Sequence, residues 1–546
     1  MKIFHLLAVS LAALLLTASC ASLVRESEGG VSVRDMLRQK LCVDLRYWTS
    51  DTIVSNESVT YTVKALDEEI ANSLNILRPG SVILFADSCQ DGPRVRKLTD
   101  DIRQLANQNG WPEPLLTVDQ EGGRVERLTF GPHFPSAAAL GKMDEYYIEK
   151  MAADLARFTL ISGFDLDFAP VCDVDSNPKN PVINTRSFGH DAETVSKGVR
   201  AFVRSFESEG LLSCAKHFPG HGDTAVDSHT GLPRVEKTLD ELRQLELKPF
   251  KTAIGEYVNC VMTSHIQFPN IETNTLTDLQ GNKILRPATL SKIILQDVLR
   301  KELGFKGVIV SDDLDMDAIS KRFDVKEAVI EAWIAGVDIA ILTKRFQNKA
   351  SLKDWDDLLT RAEQAVATGR YPIEDLTASY KRIQALKERK AAKDASDSLG
   401  IELFTLDEAF WETDKAAIPS LEMKGDASLL KELPQEKSQW LSRNFFSAAR
   451  QRGFLIFNGS SFEIAPNIIL VYNYSSASPK KNEVDNLQAT IDKAKAECKK
   501  VILLSCGVPV EEKLFPNVDL LIMSKGGLAG ISSLFRNADS SSANGY

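Results

Sequence analysis

The stretch Gly307-Val-Ile-Val-Ser-Asp312 is a short apolar run that ends on an acidic side chain. Six similar runs, separated by amphipathic stretches, lie at residues 80–85, 114–119, 164–169, 211–217, 260–265 and 336–342. Apolar strands that alternate with amphipathic helices are typical of a parallel sheet with helices over both faces. The number of these units across residues 30–395 favours an α/β fold of the (β/α)8 TIM-type barrel over an open sheet.

Two of the intervening stretches have a helical period. The first places five apolar side chains on one face: Val195, Val199, Phe202, Val203 and Phe206. The second does the same with Leu290, Ile293, Ile294 and Val298. We predict a helix at each, packed through this face against the sheet.

Four apolar runs end on an ionisable side chain: Asp119, His217, His265 and Asp312. The carboxyl ends of the strands form the active-site face of such a barrel. One residue of this kind alone could be a strand terminator or a helix cap. The shared position of all four predicts an active site at this end of the barrel.

A second domain is expected because 546 residues exceed what one hydrophobic core supports. The end of a helix and a linker are predicted at residues 379–400. Buried strands follow at 467–472, 501–505 and 519–523, with a helix at 489–496. These elements predict a small α/β domain over residues 420–535, and residues 536–546 are predicted to be a disordered tail.

The first 20 residues have the layout of a secretory signal. Lys2 supplies a positive charge, residues 6–16 are apolar, and Thr17-Ala-Ser-Cys20 follows. Small residues before a cysteine resemble a bacterial lipobox, although Thr17 stands where leucine is usual. We therefore predict export to the cell envelope, in the periplasm or at the outer membrane, with a lipid anchor on Cys20. An ordinary cleaved signal is the alternative.

Net charge and cysteine content indicate which partners and cross-links to expect. A net charge of −10 and a pI of about 5.5 do not predict nucleic-acid binding, and a membrane is expected as a partner only through the lipid anchor. Of the eight cysteines, seven remain without Cys20, an odd number that does not fit a disulfide framework. Most of them are expected to be small buried apolar side chains.

The segment from Lys216 to His229 contains three of the seven histidines. His217 and His221 are four residues apart, but Pro219 and two glycines exclude the helix that would direct both at one metal ion. We therefore predict no metal site in this loop.

Asp227-Ser-His229 has a spacing that suits proton transfer. Residues two apart can meet across a turn, so Asp227 can orient the His229 imidazole and raise its basicity. Histidine titrates near neutral pH and can act first as a general acid and then as a general base. Ser228 as a nucleophile is the alternative, but no Gly-x-Ser-x-Gly elbow surrounds it.

Asp312 and Asp313 end the predicted strand Gly307-Val-Ile-Val-Ser311. Adjacent side chains on a strand point to opposite faces, so one carboxylate is expected in the site and the other on backbone or a cation. A helix cap is the alternative. A carboxylate nucleophile with a separate proton donor is what retaining glycoside cleavage requires.

Several segments together resemble one enzyme family: Val118-Asp-Gln-Glu-Gly-Gly-Arg-Val-Glu-Arg127, Phe168-Ala-Pro-Val-Cys-Asp-Val174, Asn184-Thr-Arg-Ser-Phe-Gly189, Lys216-His-Phe-Pro-Gly-His-Gly-Asp-Thr-Ala-Val-Asp-Ser-His229 with Leu232-Pro233, and Gly307-Val-Ile-Val-Ser-Asp-Asp-Leu-Asp-Met-Asp-Ala-Ile319. Over residues 33–390 the chain resembles the β-N-acetylglucosaminidase (β-N-acetylhexosaminidase) branch of glycoside hydrolase family 3. The remainder resembles, more loosely, the α/β sandwich domain that follows the barrel in two-domain members.

The resemblance implies a role for each matching residue. Asp312 corresponds to the nucleophile that forms a covalent glycosyl-enzyme, His229 to the general acid/base, and Asp227 to the carboxylate that tunes it. The implied sugar contacts are Asp119, Arg127, Arg186, Lys216 and His217. No metal or organic cofactor is implied.

The function predicted from these residues is that of a retaining exo-β-N-acetylglucosaminidase. Its glycan substrate is expected among peptidoglycan fragments, with chitooligosaccharides as another source. A β-glucosidase or a phosphorylase of the same family stays open, and so does an inactive glycan-binding envelope lipoprotein. The joint presence of Asp227, His229 and Asp312 argues against the inactive protein.

Overall fold

The protein is described by a computed structural model over residues 30–54, 57–224 and 232–396 of its N-terminal part. In its C-terminal part, the structure describes residues 422–425, 461–465, 468–475, 488–489, 491–492, 495–496, 500–507 and 520–524. The chain divides into two compact units, Met1–Leu399 and Gly400–Tyr546.

Eight parallel strands form one sheet in the first unit. They are β1 (Leu41–Asp44), β2 (Ser81–Ile83), β3 (Leu115–Val118), β4 (Leu166–Asp167), β5 (Leu212–Phe218), β6 (Cys260–Thr263), β7 (Val308–Val310) and β8 (Ala340–Leu342). Pairing runs in chain order from β1 to β7, with β8 on the other side of β1. A parallel bridge between Val310 and Ile339 joins β7 to the segment before β8. The sheet is thereby nearly closed, which confirms the predicted TIM-type barrel.

Helices surround this sheet. They are α1 (Val33–Arg38), α2 (Glu68–Leu77), α3 (Gly92–Gln108), α4 (Ala137–Leu140), α5 (Glu145–Ile161), α6 (Ala192–Glu209), α7 (Leu239–Gln244), α8 (Leu247–Gly255), α9 (Asp317–Ser320), α10 (Val325–Ala335), α11 (Leu352–Ala367) and α12 (Ile373–Ser396). Short 3-10 turns lie at Asn184–Arg186, Ala288–Leu290 and Lys349–Ser351, and Ile293–Glu302 is a π-helix. Two antiparallel hairpins pair Tyr47–Val54 with Glu57–Thr62 and Thr275–Thr277 with Lys283–Leu285.

Both helices expected from apolar periodicity are present. The five apolar side chains of the first are buried on α6. The second differs in detail, because Leu290 lies in a 3-10 turn and the rest of the pattern lies on the π-helix.

The interior of the barrel is filled by side chains that lie two residues apart on the same strand, as Leu212 and Cys214 do on β5. This spacing directs both side chains to one face of a strand. Ile383 and Leu386 of α12 pack against the same cluster. Lys387 of α12 donates to the Gln39 side chain, just before β1. Helix α12 therefore covers the amino end of the barrel and leaves the carboxyl end open.

A buried ion cluster holds α12 in this position. Asp338 lies 2.8 Å from Arg300 Nη2 and 2.7 Å from Arg382 Nη2, and Arg382 belongs to α12. Lys40 Nζ donates to the hydroxyl of Ser379, also on α12. Burial lowers the pKa of Lys40 to about 7, although Asp338 opposes this shift.

Strand β1 is not among the seven runs singled out in the sequence. It is only four residues long, Leu41-Cys-Val-Asp44, and carries a buried acid at its end. The five described cysteines of the first unit are buried and unpaired, as expected for small apolar side chains: Cys42, Cys89, Cys172, Cys214 and Cys260.

The second unit contains a five-stranded sheet. Its strands are β9 (Glu422–Gly425), β10 (Ser461–Ala465), β11 (Ile468–Ser475), β12 (Lys500–Gly507) and β13 (Leu520–Ser524). Strands β11, β12 and β13 pair in parallel and correspond to the three predicted strands. Described residues between 488 and 496 are helical, as predicted. The predicted tail lies outside the described residues.

Within the described part of the chain, no helix is both long and apolar enough to cross a membrane. The predicted signal segment and Cys20 lie outside the residues that the structure describes.

Candidate active site

A cavity of about 550 Å³ opens at the carboxyl ends of the barrel strands. All five predicted sugar contacts line it together with the predicted nucleophile: Asp119, Arg127, Arg186, Lys216, His217 and Asp312. These residues follow or end β3, β5 and β7, except Arg186, which lies in a 3-10 turn between β4 and α6. The strand-end pattern in the sequence therefore located the cavity.

Lys216 projects from β5 and is almost completely buried. Its Nζ atom lies 2.7 Å from Asp119 Oδ1 and 2.6 Å from Glu121 Oε1. Burial acts to lower the pKa of Lys216, but attraction to Asp119 and Glu121 outweighs burial and raises that pKa. Lys216 therefore stays charged, and it holds Asp119 at the cavity wall.

Glu121 forms a two-pronged ion pair with Arg186. Arg186 Nε lies 2.9 Å from Glu121 Oε2, and Arg186 Nη2 lies 2.7 Å from Glu121 Oε1. Burial acts to raise the pKa of Glu121, but Arg186 and Lys216 hold that pKa well below its ordinary value. One buried carboxylate thus fixes two of the cations that face the cavity.

His217 is oriented by Asp173, a fully buried carboxylate beyond the end of β4. His217 Nδ1 lies 2.7 Å from Asp173 Oδ2, and Asp173 Oδ1 accepts from the backbone N–H groups of His217 and His221. Burial acts to raise the pKa of Asp173, but His217 and His221 lower it overall. An ionised Asp173 places the proton on His217 Nδ1, so Nε2 can accept from Arg186 Nη2 at 3.3 Å.

His221 also lines the cavity. Burial, with the neighbouring His217, lowers the pKa of His221 to about 4, so its imidazole is neutral near pH 7. Its Nδ1 atom lies 3.0 Å from Thr224 Oγ1. Among the residues that the structure describes, no group of three or more histidine, cysteine, aspartate or glutamate side chains could hold a metal ion.

Asp312 and Asp313 follow β7, and both line the cavity. Asp312 Oδ1 accepts from the backbone N–H of Asp313 at 2.8 Å. The Asp313 carboxylate accepts from the Thr343 hydroxyl at 2.5 Å and from the Asp315 N–H at 3.0 Å. Both carboxylates thus accept from backbone N–H groups, and both line the cavity, so the prediction that only one of them faces the site is wrong. Neither residue caps α9, whose N-cap is Met316.

His265 does not share the cavity with the other strand-end residues. It is fully buried, with Nδ1 2.8 Å from Thr289 Oγ1 and Nε2 donating to the carbonyl of Asp313 at 3.0 Å. His265 lies two residues beyond β6, just as Asp312 lies two residues beyond β7, so position after the strand does not by itself distinguish the two. His265 supports the loop that carries Asp312 instead of facing the cavity.

Sequence reasoning did not single out Glu121 or Asp173 as site residues. Both lie inside segments that carry the family resemblance. Glu121 follows the predicted strand that ends at residue 119, and Asp173 follows the one that ends at residue 169. Sequence reasoning also missed Arg46, whose guanidinium stacks 3.7 Å from the centre of the Phe85 ring at the cavity wall.

The predicted acid/base residues Asp227 and His229, like Ser228, lie outside the described residues. The segment just before them is firmly held. Asn180 Nδ2 donates to the carbonyls of His221 and Gly222 at 2.8 and 3.1 Å. A Cβ atom on Gly222 would lie 1.6 Å from the Val174 carbonyl oxygen, so this position requires glycine.

Comparison with known proteins agrees with this geometry. Residues 38–386 match the family described as "Glycosyl hydrolase family 3 N terminal domain". The chain belongs to glycoside hydrolase family 3. Beta-hexosaminidase A of Pseudoalteromonas piscicida is 37% identical over 374 residues, which span 67% of this family 3 chain and 62% of that relative. The family 3 chain thus matches less than two thirds of the length of that relative.

This chain matches a larger share of two further relatives. The beta-hexosaminidase of Neisseria gonorrhoeae (strain NCCP11945) is 33% identical over 316 residues, which span 56% of this chain and 82% of that protein. A family 3 β-N-acetylglucosaminidase from Paenibacillus sp. str. FPU-7 has a similar structure, with a TM-score of 0.61 and 26% identity over 93% of this chain and 96% of that one. The family 3 chain is therefore a glycoside hydrolase of the β-N-acetylhexosaminidase branch, as the motifs predicted.

Proposed function

We propose that this chain is a retaining exo-β-N-acetylglucosaminidase that hydrolyses terminal β-linked N-acetylglucosamine. Asp312 forms the covalent glycosyl-enzyme, His229 is the general acid and base, and Asp227 orients His229. The sugar is held by Asp119, Arg127, Arg186, Lys216 and His217.

The observation that carries this proposal is the position of Asp312. Asp312 lies two residues beyond β7, and its side chain lines the same cavity as the buried Lys216–Asp119 pair. A nucleophile at the end of a rigid strand keeps its attack geometry, and fixed charged groups can bind the sugar hydroxyls. The names of the relatives, beta-hexosaminidase and β-N-acetylglucosaminidase, support N-acetylglucosamine as the sugar.

The proposed reaction has two steps. In the first, an Asp312 oxygen bonds to C1 of the sugar, the bond from C1 to the leaving oxygen breaks, and protonated His229 gives its proton to that oxygen. In the second, neutral His229 takes a proton from water, the water oxygen bonds to C1, and the ester bond from C1 to Asp312 breaks. One water is consumed, and the configuration at C1 is retained.

The cavity contains both hydrogen-bond acceptors and donors for a sugar. Asp119 can accept hydrogen bonds from sugar hydroxyls, because its two oxygens are held by Lys216 at 2.7 Å and, more loosely, by Arg127 at 3.8 Å. His217 and Arg186 can contact the sugar from the β5 side of the cavity. A neutral polar sugar fits this alternation of donors and acceptors.

The natural substrate in this proposal is a peptidoglycan fragment, with chitooligosaccharides as the other glycan source. The layout of the first 20 residues supports export and a lipid on Cys20. Expression of the wild type and of Cys20→Ala, followed by membrane fractionation and labelling with a radioactive fatty acid, tests the anchor. Label on the wild type alone supports it, and equal behaviour of the two proteins contradicts it.

The activity is tested with an aryl β-N-acetylglucosaminide beside the matching aryl β-glucoside, each with and without phosphate. We expect rapid release of the aryl group from the first substrate only, with free sugar as the product. Faster cleavage of the glucoside would indicate a β-glucosidase, and sugar 1-phosphate would indicate a phosphorylase. Absence of cleavage would indicate a glycan-binding protein.

A further inference from the structure

Asp313 connects the loop after β7 to two other parts of the barrel. Its carboxylate accepts from the Thr343 hydroxyl at 2.5 Å and from the Thr343 N–H at 3.2 Å, beyond the end of β8. Its carbonyl oxygen accepts from His265 Nε2, beyond β6, and its N–H donates to Asp312 Oδ1 at 2.8 Å. The residue that fixes the Asp312 carboxylate is therefore itself fixed from two sides.

The charged groups around Asp313 are mostly acidic. Asp312 and Asp315 face it from its own loop, and Asp44 faces it from β1. The nearby cations pair with these neighbours: Arg46 Nη2 lies 3.0 Å from Asp44 Oδ2, and Arg345 Nε lies 2.7 Å from Asp315 Oδ1. Among the ion pairs of the described residues, none includes Asp313.

These surroundings favour the protonated form of Asp313. Burial raises the pKa of Asp313 to about 6; Asp315 and Asp312 add to this shift, and the hydrogen bond from Thr343 opposes it. Burial also raises the pKa of Asp44 to about 7. Asp313 therefore changes charge within the pH range in which histidine acid/base catalysis operates.

We propose that Asp313 is a positioning residue whose N–H holds the Asp312 carboxylate for attack and whose ionised side chain favours formation of the glycosyl-enzyme. This inference rests on the function proposed for Asp312. Two negative charges side by side repel each other, and esterification of Asp312 removes one of them. The ionised Asp313 also stabilises the positive charge that develops on the sugar in the transition state.

The pH dependence of kcat/KM separates this role from a merely structural one, because kcat/KM reports the ionisation of groups in the free enzyme. In the wild type, kcat/KM for the aryl β-N-acetylglucosaminide should fall as pH drops through about 6. Asp313→Asn is permanently neutral, so it should lose this fall. Above that pH its kcat/KM should be lower than that of the wild type by roughly tenfold or more.

Two variants of Thr343 test the pKa of Asp313 without substitution of Asp313 itself. Thr343→Val removes the hydroxyl that stabilises the ionised carboxylate, so the fall in kcat/KM should move to higher pH. Thr343→Ser keeps the hydroxyl and should restore the wild-type position of the fall. Thermal unfolding shows whether Asp313→Asn folds. If it does not, the two Thr343 variants still test the role of Asp313.

The inference is overturned if Asp313→Asn lowers kcat/KM by one factor at every pH, or if Thr343→Val leaves the fall where it is in the wild type. Asp312→Ala keeps the two hypotheses apart. Full activity of Asp312→Ala would contradict the proposed function itself. An inactive Asp312→Ala, together with a wild-type pH profile for Asp313→Asn and Thr343→Val, would contradict only the role of Asp313.

Discussion

Glu121 Oε1 lies 2.6 Å from Lys216 Nζ, at a place where the two side chains are only 5% and 2% exposed. The same carboxylate binds Arg186 through both of its oxygens. Glu121 thus pairs with two buried cations: it is the carboxylate partner of Arg186, and it shares Lys216 with Asp119.

Glu121→Ala should destabilise the protein by about 3–5 kcal/mol, because it leaves the buried Arg186 without its carboxylate partner and removes one of the two partners of Lys216. It should also raise KM, since Lys216 and Arg186 lose their fixed positions. Urea unfolding and steady-state kinetics measure these effects. Glu302→Ala, which breaks a more exposed pair with Arg243, is the matched control and should cost far less, because ion pairs at the surface contribute little. Equal losses of stability in the two variants would contradict this account of Glu121.

Gly222→Ala tests the segment that precedes the predicted acid/base residues. The new Cβ would lie 1.6 Å from the Val174 carbonyl oxygen, so the backbone near His221 must move. We expect lower thermal stability and a kcat reduced by about tenfold or more, since small displacements of catalytic groups are costly. Gly255→Ala is the control, because nothing lies within 4 Å of its Cβ position. The account fails here if both variants behave alike.

Asp173→Asn tests the orientation of His217. The amide can donate to His217 Nδ1, which moves the ring proton to Nε2 and opposes the contact with Arg186 Nη2 at 3.3 Å. The expected result is a KM raised by at least about tenfold, equivalent to ~1.4 kcal/mol of lost binding. An unchanged KM would show that the Asp173–His217 pair does not orient a sugar contact.

Lys40→Met tests the buried ammonium that binds α12. The folded protein holds the pKa of Lys40 at about 7, against an ordinary 10.5. Between these pH values the unfolded chain binds more protons at this residue, so the Lys40 contribution to stability rises as pH increases across that window. The unfolding free energy should therefore rise more steeply with pH in the wild type than in Lys40→Met. Parallel pH curves for the two proteins would contradict the lowered pKa.

Most of the barrel could be predicted because its strands are buried on both faces and appear in the sequence as continuous apolar runs. Val308, Ile309 and Val310 form β7 as predicted, and all three are buried. In the second unit, the predicted strands at 467–472, 501–505 and 519–523 are also continuous apolar runs in the sequence, and they correspond to β11, β12 and β13. Continuous apolar runs of this kind indicate a strand before its partners are known.

The first barrel strand was harder to predict. Leu41-Cys-Val-Asp44 is short, follows the buried Lys40 and ends on a buried acid, so its apolar signal is weak. Its identity as a strand depends on pairing with Ala340–Leu342, which is distant in the sequence.

The site was predicted in part for a similar reason. Strand-end positions predicted that Asp119, His217 and Asp312 share one cavity, because the carboxyl ends of parallel strands meet there. Which carboxylate pairs with which cation depends on side-chain packing, and this is why Glu121 and Asp173 were missed. The roles of Asp227 and His229 stay predictions from the sequence.

Asp312 is the residue proposed to carry the glycosyl group. The most direct test of this role is to incubate the protein with a fluorinated N-acetylglucosaminyl donor whose glycosyl-enzyme hydrolyses slowly, and then to map the labelled peptide by mass spectrometry. We expect one added sugar on Asp312 and no label on Asp312→Asn. A sugar on another residue, or an unlabelled wild type that still turns over the donor, would contradict this role.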